Sequence, residues 1–287
     1  MKRSLTPYFL MAPALLLMGL LLYGTADSLL QSIGYFPAAG LVSPTLSYYW
    51  EVLRDPALHA SVLYSLYLSL VSAVVSCILG VAVSAALVSA GKTDHLFYRV
   101  PIAVSHVVTA AIMIALFSQT GLISRIAGTI GLVQSPNEFP LLVNDRAGIG
   151  LIAAYIWKQT PYVMSVVILL MRRVDRIYGE TARTLCATKR QTFFHVTLPL
   201  CMPAISTAFV CIFAYSFGAY ELPYLLGATV PQTFPVKAYN EFLYPDLMHR
   251  PYAMVYNALM LLFGGIFVAL YLAAFKRATR NNKMVAK

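Results

Sequence analysis

Glu180-Thr181-Ala182-Arg183-Thr184-Leu185-Cys186-Ala187, followed by Val196-Thr197-Leu198-Pro199, sits in a basic loop, residues 172–197, between two apolar segments. Working outward from it, runs of about 20 apolar residues, the length that crosses a hydrocarbon core, recur. They fall at 8–30, 58–90, 99–118, 147–171, 198–220 and 252–275. The pattern predicts an all-α membrane protein with six transmembrane helices in a single domain over residues 1–287. The second run is overlong and is expected to tilt or to extend beyond the bilayer.

Composition agrees. Hydrophobic residues make up 59% of 287 positions, charged residues 11%, and the mean hydropathy is +0.71. A soluble domain with so few charges would expose apolar surface it could not cover. With a cytoplasmic N-terminus, Lys2, Arg3, Lys92, Arg99, the six basic residues of 172–197 and the tail's Lys276, Arg277, Arg280, Lys283 and Lys287 all lie inside. That is fifteen of the 21 Lys and Arg. This is the positive-inside bias, with both termini cytoplasmic. The net charge of +10 therefore needs no nucleic acid to explain it, since basic loops beside anionic lipid headgroups suffice.

A cleavable signal peptide ending near Ala26 competes for the first run, but its loss would leave an odd span count and spoil the orientation. Cys77, Cys186, Cys201 and Cys211 have no metal-ligand spacing, and reduced packing residues are expected. Residues 31–57, with Tyr48, Tyr49, Trp50 and three prolines, read as an ordered external cap. The piece from Leu122 to Val133 is too short to span and reads as interfacial or re-entrant. Residues 221–251 carry five prolines and are expected to bend repeatedly.

Within 172–197, Asp175 is placed to cap a helix beginning near Arg176. Thr188-Lys189-Arg190-Gln191 has capping-box form and marks a second helix start. The two pieces would meet at a tight elbow, Cys186-Ala187. Pro199 and Pro203 suit the first turns of the following span. Small Ala182 and Ala187 allow close approach, and Ile177, Leu185, Phe193 and Phe194 offer apolar surface. On these grounds the loop is either a docking element for another protein or an amphipathic helix lying on lipid.

The stretch resembles the EAA loop of ABC-importer permeases. Glu180, Ala182, Ala187, Gln191, Phe193, Val196, Leu198 and Pro199 match that pattern, with Pro203 following, between the fourth and fifth of six spans. Thr181 replaces the family's middle Ala. Cys186 replaces its usual Gly, whose backbone freedom Cys lacks. The resemblance implies a type I ABC importer (MetI-like) permease fold in the bacterial inner membrane. It implies ATPase coupling through Glu180, Thr181, Ala182, Leu185, Cys186 and Ala187. Its implied partners are ABC ATPase subunits, a second permease chain, expected to differ from this one because of Cys186, an external solute-binding protein and membrane lipid. ATP and Mg would be bound by the partner ATPase. No Walker Gly-x-x-x-x-Gly-Lys-Ser/Thr occurs here, so no ATP site of that kind, no catalytic residue and no metal site are expected in this chain.

Ala182-Arg183-Thr184-Leu185-Cys186-Ala187 and Phe217–Gly227 look more like polyamine, ferric-iron and phosphonate-type permeases than sugar permeases, implying a small charged solute. Lys158, in Trp157-Lys158-Gln159-Thr160-Pro161, is the one basic residue well inside a span. It either serves an interface or cavity or contacts solute, and on the path it would repel a polyamine. Gln159, Tyr220 and Glu221 complete the candidate path. Tyr215, Tyr220 and Tyr224 either line an outer vestibule or anchor the interface. His106 reads as a core histidine. An ion-coupled secondary transporter is the rival class, but of 11 acids only Asp27 lies within a span, which leaves little for a proton relay.

Overall fold

The computed structural model describes residues 6–91 and 99–285, with side chains for 11–91 and 99–273. Lys2, Arg3, Lys92 and Lys287 lie outside the described residues, as do the side chains of Lys276, Arg277, Arg280 and Lys283.

Apart from an isolated Phe36–Leu41 bridge, the regular structure described is helical. In order come α1 (Thr6–Ser32), α2 (Ser47–Arg54), α3 (Pro56–Ser89), α4 (Val100–Ala103), α5 (His106–Phe117), α6 (Leu122–Thr129) and α7 (Ile149–Val174). Then follow α8 (Glu180–Thr184), α9 (Lys189–Thr192), α10 (Leu198–Gly218), α11 (Glu221–Leu226), α12 (Phe234–Phe242) and α13 (Arg250–Val285). The described chain divides into two compact units, residues up to His59 with Lys237–Phe263, and Ala60–Val236 with Gly264 onward.

Among the described residues five stretches are long and apolar enough to cross a membrane: Met11–Ser32, Pro56–Ser89, His106–Thr129, Lys189–Gly218 and Leu247–Ala273. The expected fourth span, 147–171, is also one helix, the 26-residue α7, but Lys158, Gln159 and Thr160 dilute its hydropathy. The reason lies in packing. Twelve of its residues are buried, from Gly150 to Val174, so α7 faces protein and need not match lipid all round. The overlong second span is the 34-residue α3, about 51 Å at 1.5 Å per residue.

The expected single span over 99–118 is instead interrupted. Val104 (ψ 133) ends α4 in extended conformation, and Ser105 caps α5, its Oγ accepting the Val108 N–H at 3.3 Å. The 12 residues of α5 cover about 18 Å, so the third stretch reaches spanning length only together with α6, over His106–Thr129.

In the unit around α7, two apolar clusters stack along that helix. Leu151, Ala154 and Tyr155 join Tyr64, Leu68, Met113 and Leu222. Val163, Val167, Met171 and Val174 join Ala73, Cys77, Cys201, Ile205 and Ala208. Between them lies a polar layer, where Gln159 accepts from Ser76 Oγ at 3.3 Å and donates to Ser216 Oγ. A line of buried small residues, Ser61, Ser65, Ser69, Ser72, Ser76, Gly80 and Ser84, runs along α3. It lets α7 approach so closely that a Cβ on Gly80 would stand 2.7 Å from Val163 Cβ. Small residues at helical spacing are the usual means of close helix approach in membranes. Cys77 and Cys201 pack as expected, whereas Cys186 and Cys211 are exposed.

In the other unit, the 31–57 segment is ordered. Ser32 Oγ meets Tyr49 Oη at 2.7 Å, and Tyr48 stacks edge-on against Tyr252 with ring centroids 5.1 Å apart. Gly34 (φ 79) needs its missing side chain, since a Cβ would lie 2.8 Å from Tyr48 Cε2. The 221–251 segment belongs to both units, changing over after Val236, and bends into α11, α12 and a 3-10 turn, Leu247–His249.

Candidate coupling elbow and charged cavity

Asp175 does not cap a helix start. Its backbone is helical (φ −63, ψ −39), and α7 passes unbroken through a π turn, Asp175–Gly179, into α8. The turn shifts the register by one residue, so Glu180 N–H reaches the Asp175 carbonyl. The Asp175 carboxylate instead receives Arg183 on both oxygens, at 3.1 and 3.4 Å. Gly179 is buried at the crook, where a Cβ would meet Asp175 Oδ1 at 2.4 Å and Thr192 Cγ2 at 3.4 Å.

The elbow itself lies at Cys186-Ala187. Cys186 N–H donates to the Arg183 carbonyl at 3.0 Å, and Ala187 N–H to the Ala182 carbonyl at 3.1 Å. This pair of bonds is a Schellman motif. It requires the left-handed backbone found at Cys186, φ 63, where glycine is the unstrained residue. Thr188 then starts α9 with a complete capping box. Thr188 Oγ1 accepts Gln191 N–H at 3.3 Å, and Gln191 Oε1 accepts Thr188 N–H at 2.9 Å.

Helix α9 runs into α10 without a break. Pro199 stands in the first turn of α10, as expected, and Pro203 follows inside the helix, but the start of α10 is continuous with the turn before it. A second π turn, Phe193–Thr197, precedes it, and Leu198 N–H bonds the Phe193 carbonyl. That looser register accommodates a residue that has no N–H and whose ring crowds the carbonyl four residues back.

Glu180, Thr181, Leu185 and Cys186 are exposed, and Ala182 and Ala187 half-buried. Leu185 stands out at 80% exposure, with Ile177, Tyr178 and Phe194 also exposed nearby in sequence. Phe193, expected on this surface, instead turns inward onto the cluster around Val167 and Ile205. Asp175, Arg183, Lys189, Ser89 and Phe193 line a cavity of about 210 Å³ behind the elbow.

The second site surrounds Lys158. Its ammonium donates to the Val104 carbonyl, freed where the third span breaks. Lys158, Gln159, His106, Tyr162, Cys211 and Tyr215 line a cavity of about 390 Å³. His106 is no core residue. Its Nε2 lies 2.6 Å from Tyr215 Oη and its Nδ1 3.3 Å from Glu221 Oε2. Glu221 thus joins the site through His106, whereas Tyr220 stacks on Tyr224, centroids 5.1 Å apart, away from the lining. The sequence signal for His106 and Tyr215 was faint. Only the Ser105-His106 helix start and the Tyr215–Glu221 interval, which puts both near one helix end, point to them.

In the other unit, Glu241 lies between Lys237 Nζ and His249 Nε2, each at 2.6 Å. Burial pushes its carboxyl up, but the two basic partners outweigh burial and hold it below the usual range. Arg250 lies over the Phe242 ring, 3.9 Å from its centroid.

The family described as binding-protein-dependent transport system inner membrane component matches residues 78–281. Putrescine transport system permease protein PotI of Escherichia coli (strain K12) is 27% identical over 198 residues, 67% of this chain and 65% of that protein. The chain thus spans just under two thirds of that relative. Probable ABC transporter permease protein YurN of Bacillus subtilis (strain 168) is 25% identical over 242 residues, 80% of this chain and 81% of that one. Among solved structures, a chain of a bacterial ABC transporter involved in the import of the acidic polysaccharide alginate superimposes with TM-score 0.78. It covers 96% of each chain at 17% identity, a likeness of fold.

Proposed function

We propose that this chain, which belongs to the family of binding-protein-dependent transport system inner membrane components, is the permease half of an importer whose ATP is hydrolysed by a separate subunit. One observation carries the reading. The elbow between α8 and α9 is locked by a Schellman motif and a capping box, yet it presents Leu185 at 80% exposure. An apolar side chain held out on a rigid turn is suited to a pocket on another protein. A lipid-lying helix would instead offer a continuous apolar face.

In this reading Glu180, Thr181, Ala182, Leu185, Cys186 and Ala187 dock on the ATPase, which binds ATP and Mg. A second permease, expected to be a different chain, completes the pathway, and an external solute-binding protein delivers the solute. The unbroken helices on either side, α7–α8 and α9–α10, carry the displacement of the elbow into the membrane. Helix α7 buries twelve of its residues, and Lys158 and Gln159 on it face the path. The relative named for putrescine supports a small charged solute.

The test is isolation of the tagged full-length chain from its native membrane. An ATPase should accompany it, and Leu185→Asp should remove that ATPase while leaving the chain in the membrane. Exposed Cys186 supplies a second readout, since it should be shielded from a thiol reagent in the assembled complex. Equal labelling with and without the ATPase would overturn the docking.

A further inference from the structure

The cavity beside α7 carries Lys158 in its wall, and outside that lining, held to the lining residue His106, stands the Glu221 carboxylate, so two groups of opposite sign flank it. Lys158 supplies an ammonium whose hydrogen-bond partner is the neutral Val104 carbonyl, leaving two of its three donors and its charge for a ligand. Glu221, its side chain 59% exposed, uses one of its acceptor sites on His106 Nδ1 at 3.3 Å. His106 lines the cavity and is held on its other side by Tyr215 Oη, so the imidazole fixes where the carboxylate stands. Gln159 is committed to Ser76 and Ser216 and shapes the wall.

A volume of about 390 Å³ is at the small end for ligand pockets. A dication placed there sets one ammonium against Lys158. A plain anion meets Lys158 but leaves Glu221 without a partner and faces its repulsion. A molecule bearing one anionic group and one ammonium is attracted at both poles and adds no net charge within the span, where uncompensated charge is costly.

Resting on the importer reading above, we propose that this cavity is a solute subsite for a small zwitterion, its anionic group on Lys158 and its ammonium on Glu221. The sequence resemblance to polyamine permeases and the repelling Lys158 are then reconciled, because one end of such a solute is polyamine-like and the other is not.

The test uses the full-length chain, purified with its accompanying subunits in lipid nanodiscs, and probes that share one carbon skeleton. These are 4-aminobutanoate, butanoate and butane-1,4-diamine, with 3-aminopropylphosphonate to distinguish a phosphonate from a carboxylate head. A zwitterion should bind at least about tenfold more tightly than butanoate or the diamine. Lys158→Gln should weaken the zwitterions about tenfold and leave the diamine unchanged or tighter. Glu221→Gln should weaken the zwitterions and the diamine but not butanoate. Lys158→Arg keeps both the charge and a donor for Val104. It should bind zwitterion within about threefold of the parent, separating charge from folding. Diamine or butanoate binding as tightly as the zwitterions, no binding of any probe, or Lys158→Gln within about twofold of the parent would overturn the subsite. Failure of the importer reading is scored separately, by absence of an ATPase from the purified material.

Discussion

Ala187 donates its backbone N–H to the Ala182 carbonyl at 3.1 Å, and that six-to-one bond forces the residue before it, Cys186, to φ 63. A residue with a Cβ is strained in this region by roughly 1–2 kcal/mol relative to right-handed backbone. Cys186→Gly removes the strain but adds chain entropy to the unfolded state, so the net gain should be up to about 1 kcal/mol. Cys186→Val, β-branched, should lose about 1–2 kcal/mol. Thermal unfolding of the purified chain measures both. If the elbow transmits movement, ATP-driven uptake should survive the glycine and suffer with the valine. Loss of stability on introducing glycine would mean that the turn is held in some other way.

The other side of the elbow rests on the capping box. Thr188→Ala removes the acceptor for Gln191 N–H and should cost about 1 kcal/mol. Gln191→Ala removes the reciprocal acceptor for Thr188 N–H and should cost less, because that N–H is exposed and water replaces the partner. The double variant should fall short of the sum of the singles, since the two bonds share one geometry. Hydrogen exchange across 188–197 reads the effect where it arises. Additive losses would show that the two bonds form independently.

The elbow was legible in the sequence because capping chemistry is local. Thr188 and Gln191 sit three apart, and the matched pattern put the turn at Cys186-Ala187. The role of Asp175 was not legible. A carboxylate before Arg176 also suits a helix interior when a π turn brings Arg183 within 3.1 Å, and π turns leave no simple residue signature. The continuity of α9 with α10 was hidden for the same reason, since the π turn that joins them, at Phe193–Thr197, leaves no such signature either. The break at Val104-Ser105 was hidden because both flanks are apolar and hydropathy does not register a missing hydrogen bond. Lys158 was singled out, but the partner for its ammonium is a backbone carbonyl 54 positions away, which only tertiary packing reveals.

Close packing of α3 on α7 supplies a third prediction. A Cβ on Gly80 would lie 2.7 Å from Val163 Cβ and Cγ1 and 3.2 Å from the Thr160 carbonyl. Gly80→Ala must push the two helices apart, and overpacking of this kind costs about 1–3 kcal/mol. Val163→Ala removes the facing methyl groups and should recover part of the loss in combination, against a penalty for the cavity it leaves alone. Ser84→Ala, on the same line of small residues but nearly isosteric, should be close to neutral. Thermal unfolding in lipid compares the variants. A Gly80→Ala chain as stable as the parent would show that the helices are not held at this distance.

A pH dependence follows from Glu241, whose carboxyl is held below the usual range between Lys237 and His249. A carboxyl with a folded value below its unfolded one, about 4.3 for Glu, stabilises the folded state fully above that unfolded value. The contribution is lost as pH falls through the lowered folded value. Hydrogen exchange of 237–256 should therefore accelerate on acidification in the parent. In Glu241→Gln it should be faster at neutral pH, because two basic groups lose their common partner, and its acid-dependent increment should be smaller. High salt should narrow the gap only slightly, since the Glu241 side chain is 18% exposed and its pairs are little screened. An acid response of equal size in the two proteins would show that it does not arise at Glu241.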